Sequence, residues 1–159
     1  MTDTQPNDEI QVEMSGPIWL KLATVVADHT PEETLTWFTD PDLLRRWWGD
    51  THEIDPVIGG KYVVGWPHLG KTMPGQVIRS DATELVFSWS WVEEPELPVR
   101  VVMVRTTVVG TGTRLEIVHG PYRATTEDEP VETAERAGHL EGWLYFLPKL
   151  REAMATISA

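Results

Sequence analysis

The chain has 159 residues, 41% of them hydrophobic and none a cysteine, and 13 Lys and Arg against 25 Asp and Glu leave a formal charge of −12. One domain of that length buries enough apolar surface to fold without staples, and the lack of thiols excludes disulfides, thiolate nucleophiles and thiolate metal sites. The acidic balance argues against phosphate backbones and anionic membrane surfaces, both of which are held by clustered Lys and Arg.

Residues 1–15 are polar, with acids and a proline, and read as a flexible leader; residues 16–159 read as one domain. The start has no basic n-region followed by an apolar run, and no 18 apolar residues run together, so the chain is expected in the cytoplasm, without nucleic acid or membrane as a partner. Ile18–Ala27 alternates with β-branched residues and predicts a strand. Thr30-Pro31-Glu32-Glu33 is a capping box that opens a short helix over Pro31–Phe38. Asp40-Pro41-Asp42 repeats the start signal, and a second short helix is expected to end at Trp47-Trp48-Gly49.

The period then becomes two, predicting strands at Thr51–Asp55, Lys61–Trp66, Lys71–Arg79, Glu84–Trp91, Val99–Val109 and Arg114–His119. After an acidic connection, His139, Trp143, Leu147, Leu150 and Met154 recur at three and four in a long helix from Ala134 onward. This order predicts an α+β fold: a curved seven-stranded antiparallel sheet wrapped around the C-terminal helix, with two short helices after the first strand.

Strand parity selects the candidate site. Leu85, Phe87, Trp89 and Trp91 share one face, as do Leu115, Ile117 and His119, so aromatic rings and an imidazole point inward. The eight tryptophans either fill a core or line a pocket. The expected apolar wall is Trp48, Trp66, Trp89, Trp91, Met103, Trp143 and Phe146. His119 and His139 would give a ligand a directional polar contact, and Tyr62 and His68 the same if their strands present them inward. Arg105, in phase with Val101 and Met103, would hold a carboxylate or phenolate unless a bulge reverses its facing. No spaced pair of metal-binding histidines and no Gly-x-Ser-x-Gly is present, so neither metal nor cofactor is expected, and His119 is the only catalytic candidate.

Several short motifs carry a family resemblance: Thr39-Asp40-Pro41, Trp47-Trp48-Gly49, Gly59-Gly60-Lys61-Tyr62, Leu85-Val86-Phe87-Ser88-Trp89, Gly112-Thr113-Arg114-Leu115, His119 and Gly142-Trp143, with Leu147 and Leu150 behind. In this order and spacing, from about residue 16 to 155, the chain resembles the Bet v 1-like or START-like (SRPBCC) superfamily, in the branch named after the activator of Hsp90 ATPase. The resemblance implies a helix-grip fold with a cavity between sheet and helix, and a small hydrophobic ligand that is aromatic, lipid-like or polyketide-like. Binding without covalent chemistry is the leading expectation. The alternatives are a polyketide cyclase or hydrolase in which His119 shuttles a proton, and an interaction module, either a chaperone regulator or a homodimer joined through a sheet edge.

Overall fold

A computed structural model describes residues 9–123 and 129–157. Its strands are β1 (Gln11–Ser15), β2 (Leu20–Val26), β3 (Thr51–Ile54), β4 (Lys61–Trp66), β5 (Lys71–Ser80), β6 (Glu84–Trp89), β7 (Arg100–Val109) and β8 (Gly112–Gly120). The helices are α1 (Pro31–Thr36), α2 (Pro41–Leu44) and α3 (Glu129–Ile157). All strands belong to one antiparallel sheet in the order β1-β2-β8-β7-β6-β5-β4-β3, with α3 packed on it. The fold is therefore the expected helix-grip arrangement with an eighth strand. That strand comes from residues 11–15, inside the segment read as a leader, and residues 1–8 lie outside the described part. Val12 and Met14 alternate with polar neighbours here, but all five β1 residues are exposed, the apolar stretch is short, and the overall polarity of the segment reads as a leader. Main-chain pairing with β2 and an ion pair from Arg114 to Glu13 at 2.7 Å hold it instead.

The two short helices begin as their caps dictate. Thr30 Oγ1 accepts from the Glu33 amide at 3.1 Å, and Asp40 accepts from the Asp42 amide at 2.9 Å. α2 stops at Leu44, and non-helical turns carry the chain on to Gly49.

Cross-strand register sets which side chains face α3. Phe87 pairs with Val102, Val102 with His119 and His119 with Leu20; one row along, Leu85, Val104, Ile117 and Leu22 align in the same way. Directly paired residues point to one face, and every member of both rows is buried. Met103 and Arg105 therefore lie on the opposite face, contrary to the sequence expectation. Met103 pairs with Val86 and Val118, while Arg105 lies beside Glu84 and donates to it at 2.9 Å on the exposed side. The run Val101-Val102-Met103-Val104 is apolar at every position, so alternation carries no phase there.

Polar groups fix α3 at both ends. Near its start, Arg100 of β7 is 1% exposed; its guanidinium donates to Glu132, to Glu135 and, at 2.6 Å, to the Pro121 carbonyl. The same group lies 4.7 Å from the centre of the Tyr122 ring. Toward the other end, His29 Nε2 donates to the Met154 carbonyl at 3.0 Å, and Arg151 donates to Thr24 Oγ1 at 2.5 Å. The helix continues through Pro148 between these attachments.

Removing one member of a buried ionic cluster leaves the rest desolvated without compensation, a loss of about 3–5 kcal/mol. Arg100→Ala should reduce unfolding stability in urea by about that amount, and adding Glu132→Gln and Glu135→Gln to it should restore part of the loss. Equal destabilisation of the single and triple variants would mean that the arginine acts through packing alone.

Candidate functional site

The turn after α2 places the central ring. Trp47 is fixed by its indole N–H, which donates to the Trp37 carbonyl at 2.9 Å, and Trp48 stacks on it with centroids 5.5 Å apart. Gly49 follows with φ +79°, where a Cβ would come within 2.4 Å of Val64 Cγ1, so only glycine can turn the chain into β3 here. Trp48 thereby projects among Trp66, Trp89 and Trp143, at centroid distances of 5.8, 5.7 and 5.5 Å.

These rings leave a chamber of about 130 Å³ between the sheet and α3. Trp48, Trp66, Trp89, Trp91, Trp143 and Phe146 form its walls, with Leu69 and the Lys71 side chain at its border. Lys71 Nζ lies 5.0 Å from the centre of the Trp91 ring. On the α3 side the lining is His139, Gly138 and Gly142. A Cβ built on either glycine would meet nothing within 4 Å, so the helix backbone is bare toward open space. The chamber shares Trp48, Trp66, Gly138, Gly142 and Phe146 with an open basin of about 660 Å³ that Arg45, Arg46, His68 and Lys149 also border. On the other side, Lys71, Trp91, Gly138 and His139 border a second basin of about 620 Å³, formed with Glu94 and the start of α3.

At the back of the chamber stands a histidine pair, His139 in its lining and His119 behind it. The rings of His119 and His139 stack with centroids 4.4 Å apart and planes 12° from parallel. Trp143 Nε1 donates to His119 Nδ1 at 3.0 Å. An indole nitrogen only donates, so the neutral His119 ring carries its proton on Nε2, which meets no acceptor. His139 Nδ1 is 2.7 Å from the Tyr122 hydroxyl, and its Nε2 is 3.9 Å from Glu135. Burial pushes the His119 pKa well below 6.5, helped by the neighbouring His139 and Arg100 charges. Burial, with Arg100 and Lys71, brings His139 down to about 3. Both rings are uncharged at neutral pH.

Seven of the ten candidates from the sequence meet at this chamber: Trp48, Trp66, Trp89, Trp91, His139, Trp143 and Phe146. His119 points inward as expected, but it is fully buried and stands one layer behind the wall, against Trp89 and His139, so proton exchange with a ligand is not open to it. Met103 and Arg105 are on the far side of the sheet. Tyr62 is buried, donating to the Phe38 carbonyl at 2.5 Å, and His68 is at the surface, 2.8 Å from Asp50. Sequence reading passed over Gly138 and Gly142 as lining residues, although two glycines four apart inside a helical pattern are a signal. Arg100, which tethers the helix above the site, left no such trace. Among the described residues, no group of three or more His, Cys, Asp or Glu converges as a metal site, and no helix is long and apolar enough to cross a membrane.

A curved antiparallel sheet closed by one long helix over an aromatic chamber defines a helix-grip protein. Within that class the chain belongs to the Activator of Hsp90 ATPase homolog 1-like family, whose model matches residues 28–155. No curated protein matches the sequence. Among solved structures, protein MLL2253 from Mesorhizobium loti is 22% identical with a TM-score of 0.70, over 85% of this chain and 98% of that one. An Hsp90 activator from Plasmodium falciparum is 22% identical with a TM-score of 0.67, over 87% and 97% of the two chains. DynU16, a protein in the dynemicin biosynthetic locus, is 20% identical with a TM-score of 0.69 over 89% of this chain, which spans 48% of its length. At these identities the likeness is one of fold.

The histidine pair makes stability depend on pH. Below 6.5 the unfolded chain binds a proton at residue 139 and the folded chain does not until about 3, so acid favours unfolding across that window. Between pH 7 and 5 this one group should remove about 2 kcal/mol of stability, and His119 acts in the same direction. Urea unfolding of wild type and His139→Gln at both pH values checks this. A variant that loses as much stability as the wild type would show that the imidazole is already charged in the fold.

Proposed function

We propose that the protein binds a small apolar, aromatic molecule between sheet and helix, without covalent change. The observation that carries this reading is the chamber itself: six aromatic side chains surround unfilled space beside two helix glycines whose Cβ positions are open. Large rings that served only as core would close-pack. The chamber approaches the size of an apolar cavity of ~150 Å³ that admits benzene, so it takes one ring, and anything larger extends into the adjoining basins.

Burying about 200 Å² of ligand at about 25 cal/mol per Å² contributes about 5 kcal/mol before association costs, which corresponds to a dissociation constant no tighter than about 0.2 mM unless the rigid chamber is joined by further contacts in the basins. Membership in a family of small-ligand folds supports the same reading. Turnover through His119 finds no support, because that ring lies behind the wall. The chaperone-regulator alternative rests on the family description and on the Plasmodium neighbour, and the chamber does not bear on it.

Titration with toluene, naphthalene and 1-anilinonaphthalene-8-sulfonate, followed by tryptophan fluorescence, tests the proposal. Saturable quenching is expected for at least one probe, with affinity reduced about tenfold or more in Phe146→Ala, since its ring forms wall and contributes a few kcal/mol of apolar contact. The absence of saturation with every probe would reject ligand binding in this chamber.

A further inference from the structure

Where the chamber meets the second basin, α3 carries a donor and an acceptor that the protein itself does not use. His139 lines both spaces, and Glu135, one helical turn before it, lines the basin. Each of the two side chains is 8% exposed. Glu135 Oε1 accepts from Arg100, while Oε2 has no hydrogen-bond partner among the described residues; His139 Nε2 stands 3.9 Å from it, beyond hydrogen-bonding reach. The side-chain atoms that are both unpartnered and sealed from solvent lie elsewhere, His119 Nε2 and the Trp66 and Trp89 indole nitrogens among them. His139 Nε2 and Glu135 Oε2 are therefore open, and the space that both residues border is the basin.

The proton on His139 can be placed. The Tyr122 hydroxyl is 2.7 Å from Nδ1, and burial raises the Tyr122 pKa, so the phenol keeps its proton. Among the described residues that hydroxyl has no other partner, and a buried O–H left without an acceptor is costly. Tyr122 therefore donates to Nδ1, and the neutral imidazole carries its own proton on Nε2. Arg100 fixes the carboxylate and Tyr122 fixes the ring, which holds Nε2–H as donor beside Oε2 as acceptor.

A gap of 3.9 Å suits one bridging oxygen. An atom about 2.8 Å from each would see the two at an angle of about 90°, which a hydroxyl that accepts one hydrogen bond and donates another can meet. A carbonyl or ether oxygen accepts but cannot donate, and would face the lone pairs of Oε2. A carboxylate would meet them with a like charge, and Glu94 borders the same basin. An ammonium group would offer Nε2 no acceptor and would be repelled by Lys71 at the same border.

Resting on the proposed ligand-binding reading, we infer that the ligand is an aromatic hydroxyl compound, a phenol or aryl alcohol, whose ring lies in the chamber and whose O–H bridges His139 Nε2 and Glu135 Oε2 at the border with the second basin.

p-Cresol and p-xylene have nearly the same shape and differ in the hydroxyl. A purely apolar site takes p-xylene more tightly, because its transfer from water is the more favourable. Calorimetry with the full-length protein should show the opposite order, with p-cresol bound about tenfold or more tighter than p-xylene, 4-methylanisole or 4-methylbenzoate. Glu135→Gln, whose amide oxygen keeps the bond from Arg100 and turns an N–H toward the gap, should transfer the preference from p-cresol to 4-methylanisole. His139→Phe should reverse the order of p-cresol and p-xylene. Long-range ¹H–¹⁵N spectra of the wild type should show residue 139, one of five histidines, with its proton on Nε2, and that resonance should move with p-cresol and not with p-xylene. p-Xylene bound as tightly as p-cresol, a proton on Nδ1, or a preference that both variants retain would overturn the hydroxyl assignment and leave apolar binding intact. A water molecule held in the gap against every ligand would give the first of these results. Failure of every probe to bind would instead refute the binding reading itself.

Discussion

The site exists because α3 is attached firmly at its ends and leaves a gap toward the sheet along Gly138 and Gly142. Arg100 ties Glu132 and Glu135 to β7 and to the Pro121 carbonyl, and Arg151 and His29 tie the last turns to β2 and to the turn that follows it. Leu147, Leu150 and Met154 then bury against the sheet, whereas the face with Gly138 and Gly142 offers no side chain with which to close the gap. A helix held by apolar contact alone could settle inward and fill the space. Polar anchors with fixed geometry oppose such a collapse, since any shift breaks charge-assisted hydrogen bonds in a buried setting.

The aromatic cluster makes the same point from the opposite wall. Trp48 contacts Trp47, Tyr62, Trp66, Phe87, Trp89 and Trp143, and most of these contacts are tilted or edge-on. Rings braced this way have few rotamers available, so they stand as a wall even with one side uncovered. At ~24 cal/mol per Å³, a void of about 130 Å³ costs on the order of 3 kcal/mol. A domain of ordinary stability tolerates that loss, and an apolar guest would recover much of it.

The fold was largely legible in the sequence because alternation, caps and turn glycines agree with one another. Pro31, Pro41 and Gly49 fall where the local chemistry places them, and the phase of Leu85, Phe87 and Trp89 carries over to the sheet. Legibility failed where local pattern is silent or brief. β1 carries only a brief alternation of Ile10, Val12 and Met14 within a polar, acidic stretch, and its exposed residues owe their place to pairing with β2. The apolar run Val101–Val104 of β7 has no readable phase, which misplaced Met103 and Arg105. The depth of His119 was also out of reach: parity states which face a residue takes, but not whether another ring stands in front of it.

The histidine pair shows why that depth matters. At a centroid separation of 4.4 Å, two imidazoles stack favourably only while both are neutral, because a proton on either would bring a charge toward Arg100 without a nearby countercharge to spare. Glu135 is already engaged by Arg100, and burial keeps its own pKa raised. The back of the chamber is therefore a set of neutral rings linked by directed hydrogen bonds, Trp143 to His119 and Tyr122 to His139. Such an arrangement supplies rigidity and a low local polarity rather than a proton-transfer centre.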